Sequence, residues 1–205
     1  MFFVEVAKTM HCIDVKGRFE NVKTELFNQL LNIMEKSSPD IYKHSERVAM
    51  MCYEFAKRFE IDPREREILY WAGFLHEIGK VGWGDIVSIK NAEYGINQLY
   101  PYFSKSVLLA LDEPRIANII VQHMEQLDGE GYPQGINAND IHLFATMIRM
   151  CDYYDECRTN GDTHSAASAK IRKLTDVIFP KKMITPFIKM LVSDEDLDLW
   201  SNKLR

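Results

Sequence analysis

The sequence predicts a single-domain, mostly α-helical bundle, and three observations carry that prediction. From residue 21 onward, apolar side chains recur at three-and-four spacing almost without interruption. Pro, Gly, Asp and Ser residues cut this pattern into helix-length pieces, with no repeat and no low-complexity linker. The 205 residues are 46% hydrophobic and 27% charged, which suits one sizeable core. Residues 1–20 are expected to form a short N-terminal extension and residues 21–205 the helical domain.

Within the extension, Phe2 to Val6 and then Ile13 to Val15, before Gly17, have the pattern of a short strand or hairpin. Val22, Leu26, Leu30, Ile33 and Met34 then make the apolar stripe of a first helix. Ser37-Ser38-Pro39-Asp40 breaks the chain and offers caps to a second helix, which carries Val48, Met51, Cys52, Phe55, Ala56 and Phe59. Asp62-Pro63 starts a third, with Ile68, Leu69, Ala72, Leu75 and Ile78, closed by Gly79. Residues 81–89 read as a Gly- and Trp-containing loop and 92–99 as a helix, with Pro101 interrupting the next segment. Pro114 opens a helix with Ile116, Ile119 and Ile120. A turn-rich loop covers 128–133. Residues 141–155 are helical through Phe144, Met147, Ile148 and Cys151, and helices over 165–179 and 183–192 finish the chain.

Charge and composition exclude several classes. Lys+Arg number 25 and Asp+Glu 30, a net charge of −5, so the basic surplus of a nucleic-acid polymer binder is missing. No apolar run approaches the ~20 residues that span a bilayer, and the opening residues lack the basic start of a signal peptide. Cys12, Cys52, Cys151 and Cys157 follow no zinc-ligand spacing, and Cys52 and Cys151 fall in apolar patterns, so a reducing cytoplasm is expected.

The informative residues are polar ones on apolar faces. His44 lies four before Val48, His76 four after Ala72, His123 four after Ile119 and Asp152 four after Ile148. Four predicted helices thus each aim a His or Asp inward, and Glu77 can reach the same place. A lone inward histidine is ordinarily a core residue with a satisfied hydrogen bond. Several together need a common partner, and a divalent metal is one. Mixed His and carboxylate donors suit Mn, Fe or Zn. His11, His142 and His164 receive no such role.

His44, His76-Glu77-Ile78-Gly79-Lys80 and Asp152 resemble the HD superfamily of metal-dependent phosphohydrolases, with Glu77 in place of the signature's second Asp. His123-Met124-Glu125-Gln126-Leu127-Asp128-Gly129-Glu130-Gly131-Tyr132-Pro133 is similar to the long motif of its HD-GYP subfamily. The resemblance covers roughly residues 37–168. It implies an HD-type helical bundle and hydrolysis of a phosphoester, with cyclic di-GMP as the best-known substrate and two or three metal ions. His44, His76, Glu77, His123 and Asp152 would be the ligands. Lys80 would neutralise a phosphate oxygen, and Gly129 and Tyr132 would shape the substrate wall. Lys80 and Asp152 would be the catalytic pair.

Three positions depart from the motif: Glu77, Tyr100 in place of a histidine before Pro101, and Met124 in place of the second histidine of a pair. At position 100 a neutral phenol is a poor ligand. The family's arginine-rich stretch is matched by Asn160-Gly161-Asp162-Thr163-His164, without its fixed charges. The expectation is therefore a phosphohydrolase holding one divalent ion, acting on a small phosphorylated ligand such as a nucleotide, with weak or absent cyclic di-GMP turnover. The alternatives are a catalytically silent signalling module that binds a nucleotide, a metal or a protein partner without turnover, and a purely structural scaffold that has kept only the fold; a protein partner or a homodimer is the further association expected.

Overall fold

A computed structural model describes residues 19–81 and 98–191, with side chains from residue 25 onward. The described residues form α1 (Phe19–Ser37), α2 (Pro39–Arg58), α3 (Pro63–Leu75), a 3-10 turn (Ile78–Lys80), α4 (Tyr100–Ala110), α5 (Pro114–Ile120), α6 (Leu143–Thr159), α7 (His164–Lys173) and α8 (Lys181–Leu191). The mostly helical bundle read from the sequence is what the chain forms, and no strand occurs among the described residues. The proposed strand or hairpin of residues 1–20 and the loop and helix over 82–97 lie outside the described residues.

Proline sets the start of four of the eight described α-helices. Pro39, Pro63, Pro101 and Pro114 each stand in the first turn of a helix, where the missing N–H has no partner to lose. Pro101 therefore opens α4 instead of interrupting it. The expected cap at residues 37–40 also differs. Ser38 occupies the capping position but makes no side-chain capping bond, and Ser37 Oγ donates to Ile33 O at 2.7 Å. Asp62 and Thr163 do cap, accepting from Arg64 N at 2.9 Å and Ala166 N at 3.2 Å.

α2 is the central helix, packed against α1, α3, α6 and α8. Val48, Ala49, Cys52, Phe55 and Ala56 are fully buried on it, and Phe55 meets Phe187 of α8 edge-on at 4.9 Å. On α1 the buried face differs from the predicted stripe. Phe27, Leu30, Leu31 and Met34 pack on the core, while Leu26 and Ile33 are about half exposed. Both sets have helical spacing, so periodicity alone could not choose between them.

The 3-10 turn after α3 is pinned to α4. Ser104 Oγ accepts from Gly79 N at 2.9 Å and donates to His76 O at 3.0 Å. A Cβ on Gly79 would fall 2.6 Å from Ser104 N and nearer still to Tyr100 O, both backbone atoms. Gly79→Ala is expected to destabilise the protein by about 1–3 kcal/mol through forced backbone displacement. Chemical denaturation checks this, and an unchanged midpoint would contradict it.

Candidate metal centre

α2, the end of α3 and α6 bring His44, His76, Glu77 and Asp152 together. One donor atom from each of these four side chains lies within 4.8 Å of every other. His44 Nε2 is 3.2 Å from Asp152 Oδ1 and 3.9 Å from Glu77 Oε2, and His76 Nε2 is 3.7 Å from Asp152 Oδ1. Nitrogen and oxygen donors ~2.0–2.2 Å from one ion must lie about 3–4 Å apart, so these separations fit a shared cation.

Hydrogen bonding points the same way. His76 is fully buried at the end of α3, and its Nδ1 donates to Gly73 O at 2.7 Å. That fixes the tautomer and leaves Nε2 with a lone pair and no hydrogen-bond partner. Asp152 Oδ1 is likewise buried and without a hydrogen bond. Two buried orphan acceptors facing each other are costly unless something positive lies between them. The donor set therefore fits a divalent ion.

Electrostatics favour a cation as well. Burial opposes a charge on His44, but the Asp152 and Asp155 carboxylates win and push its pKa up to about 10. Burial alone would raise Asp152, yet contacts with His44, His76 and Arg149 hold it well below the usual carboxylate range. The carboxylates thus set up a negative field at His44, and an ion held by its Nε2 would take the place of a proton there.

His123 is fully buried beside this cluster, its ring centroid 5.1 Å from that of His76. Its Nδ1 donates to Ile120 O at 2.5 Å, and its Nε2 accepts from Tyr100 OH at 2.7 Å. Burial pushes the Tyr100 phenol well above its ordinary pKa and the His123 imidazole well below its own, so both are neutral. Among the five predicted ligands, four offer atoms to the cluster, and His123 has its outward nitrogen engaged by Tyr100. The predicted helix through His123 also ends early, at Ile120, and a turn carries the residue inward.

Lys80 stands on the rim of the cluster, its Nζ paired with Glu77 Oε1 and 4.1 Å from the centroid of the Tyr100 ring. Tyr132 is half-buried, and burial raises its phenol pKa. Glu125 organises the loop around it, accepting from Gln134 N at 2.6 Å and Ile136 N at 3.2 Å. Gly129 supplies a turn at φ 82° in the left-handed region. Met124 is half-buried, and its carbonyl accepts from Tyr132 N at 3.2 Å.

Sequence reasoning missed four residues here. Asp155 Oδ2 meets His44 Nδ1 at 2.8 Å, and Arg47 grips both Asp155 oxygens at 2.6 and 2.7 Å. Arg149 Nη1 donates to Asp152 Oδ2 at 2.8 Å. Ser104 clamps the 3-10 turn. The signal was spacing: Arg47, Arg149 and Asp155 each lie three residues from His44 or Asp152 on the same helix.

Residues 28–176 match the HD domain family. Over 129 residues the chain is 32% identical to the 3'3'-cGAMP-specific phosphodiesterase 3 of Vibrio cholerae, covering 60% of this chain and 28% of that protein. Over 157 residues it is 31% identical to a cyclic di-GMP phosphodiesterase of Pseudomonas aeruginosa, covering 72% of this chain and 38% of that protein. The chain thus spans less than half the length of these curated relatives. A solved HDG"Y"P protein from Bdellovibrio bacteriovorus superposes with a TM-score of 0.62 at 19% identity, over 75% of this chain and 53% of that one, which is a likeness of fold.

Proposed function

Because the chain belongs to the HD domain family, in its HD-GYP subfamily, we propose that it is a metal-dependent phosphohydrolase acting on a nucleotide or cyclic dinucleotide. The observation that carries this reading is the four-donor cluster of His44, His76, Glu77 and Asp152 with two orphaned buried atoms. These four residues would hold one divalent ion, with Mn, Fe and Zn the ions the donor set suits. Such an ion supplies Lewis acidity toward water and toward a phosphate oxygen.

The chain's own residues do the rest. His76 and Asp152 are fixed by burial, and His44 is held in orientation by Asp155. Lys80, about a third exposed, can turn its ammonium from Glu77 to a non-bridging phosphate oxygen as charge builds there. Tyr132 and the loop from Gly129 form one wall, where a base or sugar would rest. The Tyr100–His123 bond supports weak or absent turnover of cyclic di-GMP, because it engages a nitrogen that the resemblance assigns to metal binding. Among the described residues no helix is long and apolar enough to cross a membrane.

Metal should stabilise the fold directly. At free Mn one hundred times the dissociation constant, unfolding should cost about 2.7 kcal/mol more than in chelator. A melting temperature indifferent to Mn, Fe and Zn would remove the basis of this reading. The functional experiment is hydrolysis of cyclic and linear dinucleotides by the metal-loaded protein, followed chromatographically. Expected is cleavage of a phosphoester that disappears in His76→Ala. A protein that binds metal and cleaves none of these substrates would favour the silent nucleotide-binding alternative.

A further inference from the structure

Each carboxylate of the cluster turns one oxygen to the other donors and one to a cation. Asp152 Oδ1 faces His44 and His76, while its Oδ2 accepts from Arg149 Nη1 at 2.8 Å. Glu77 Oε2 faces His44, while its Oε1 is paired with Lys80 Nζ. The two oxygens of one carboxylate lie about 2.2 Å apart by ordinary bond geometry, so Arg149 Nη1 is within about 5 Å of the cluster oxygen Asp152 Oδ1. Arg149 also has donors to spare. Nη1 alone serves Asp152 and, at 3.8 Å, Glu156 Oε2. Nε and Nη2 make no hydrogen bond among the described residues and are not sealed from solvent. The side chain is 13% exposed, and the Tyr153 ring backs it at 5.7 Å from Cζ.

We propose that Arg149 joins Lys80 in binding the substrate's phosphate, and that the substrate class is a terminal phosphate monoester on a nucleotide or linear dinucleotide. The planar guanidinium matches a phosphate edge as it matches a carboxylate, so its open N–H groups suit two phosphate oxygens at once. Charge selects the class. A divalent ion in the cluster balances Glu77 and Asp152, and Arg47 balances Asp155 through its two hydrogen bonds. The charges of Lys80 and Arg149 are then left over. Glu156 stands beside Arg149 but is about half exposed, where water screens it. A terminal phosphate brings a charge of about −1.5 to −2 at neutral pH and three acceptor oxygens. A diester brings one negative charge and two non-bridging oxygens, too few for both cations and the ion. Arg149 thus supplies, from α6 itself, a fixed cation of the kind that residues 160–164 lack.

This inference rests on the metal-dependent phosphohydrolase reading, and a binding experiment separates the two. Inorganic phosphate and dimethyl phosphate would be titrated calorimetrically into the Mn-loaded protein at about pH 8, where the first is mostly a dianion and the second a monoanionic diester. Elemental analysis would give the Mn content of each protein. The variants are Arg149→Gln and, as a charge control, Arg115→Gln at the exposed pair with Glu65. Wild type and Arg115→Gln are expected to bind inorganic phosphate about tenfold or more tighter than dimethyl phosphate. Arg149→Gln is expected to lose about 10- to 100-fold in affinity for inorganic phosphate at unchanged Mn content, the size of a charge-assisted contact. Undiminished affinity in Arg149→Gln would overturn the proposal, as would an equal loss in Arg115→Gln. If Arg149→Gln does not fold or does not hold Mn, wild type still decides, because equal affinity for the two probes refutes the monoester class. Phosphate bound through Arg149 without cleavage of any monoester would keep the binding residue and remove the hydrolase reading. A wild type that takes up no Mn would sink the metal reading and this inference with it.

Discussion

Asp152→Ala should abolish metal binding and destabilise the fold by about 3–5 kcal/mol, the range for removing one partner of a buried charged pair. The carboxylate is 2% exposed and serves two neighbours at once. Oδ1 faces His44 and His76, and Oδ2 accepts from Arg149. Truncation takes from the buried Arg149 guanidinium its hydrogen-bonded carboxylate, leaving it Glu156 Oε2 at 3.8 Å, and opens a void at the centre of the pocket. It also removes one of the two carboxylates that raise the His44 pKa. Asp152→Asn separates charge from shape. The amide fills the same volume and can still accept from Arg149, so it should lose most of the metal affinity and distinctly less stability. Denaturation in chelator and elemental analysis of both variants would read the two effects. If Asp152→Ala kept both its metal and its stability, the centre would have to be built from other residues.

How far the sequence revealed this site depends on which force placed each residue. His44, His76 and Asp152 were legible because a polar group on an apolar stripe violates the ordinary partition, and helical spacing says which way it points. Glu77 was found through the motif beside His76. His123 was found by the same spacing rule, although the helix meant to carry it ends three residues earlier. Its outward nitrogen is set by Tyr100, a contact 23 positions distant that no local pattern encodes. Tyr100 is a poor ligand, but a buried, neutral phenol is a good hydrogen-bond donor, and that role was not legible. Arg149 escaped for a different reason. The motif has its cations at residues 160–164, while the guanidinium that holds Asp152 lies on α6 itself. The bundle was legible as a whole because repeated three-and-four spacing dictates helices. Which stripe of α1 faces inward was not, because Leu26 and Ile33 satisfy the same period as Phe27 and Met34.

Asp155→Ala should lower metal affinity by about 10- to 100-fold without touching a metal donor, the usual effect of losing the group that orients a histidine ligand. Asp155 is 3% exposed and receives His44 Nδ1 at 2.8 Å, which turns Nε2 toward Asp152 and Glu77. Arg47 binds both of its oxygens, so the carboxylate cannot swing away. Burial would raise Asp155, but Arg47 and His44 hold it below the ordinary carboxylate range, so it is ionised at neutral pH. Removing it frees the His44 ring and strands Arg47, which should cost about 1–3 kcal/mol of stability. The two losses can be pulled apart. In Asp155→Leu combined with Arg47→Met, apolar side chains replace the whole pair, and such exchanges are often neutral or stabilising. Stability in chelator should return toward wild type in that variant while metal affinity stays low, because nothing then orients His44. Recovery of both together would mean that Asp155 serves only the packing of α2 against α6. Recovery of stability alone would establish that the carboxylate aims a ligand across that helix pair.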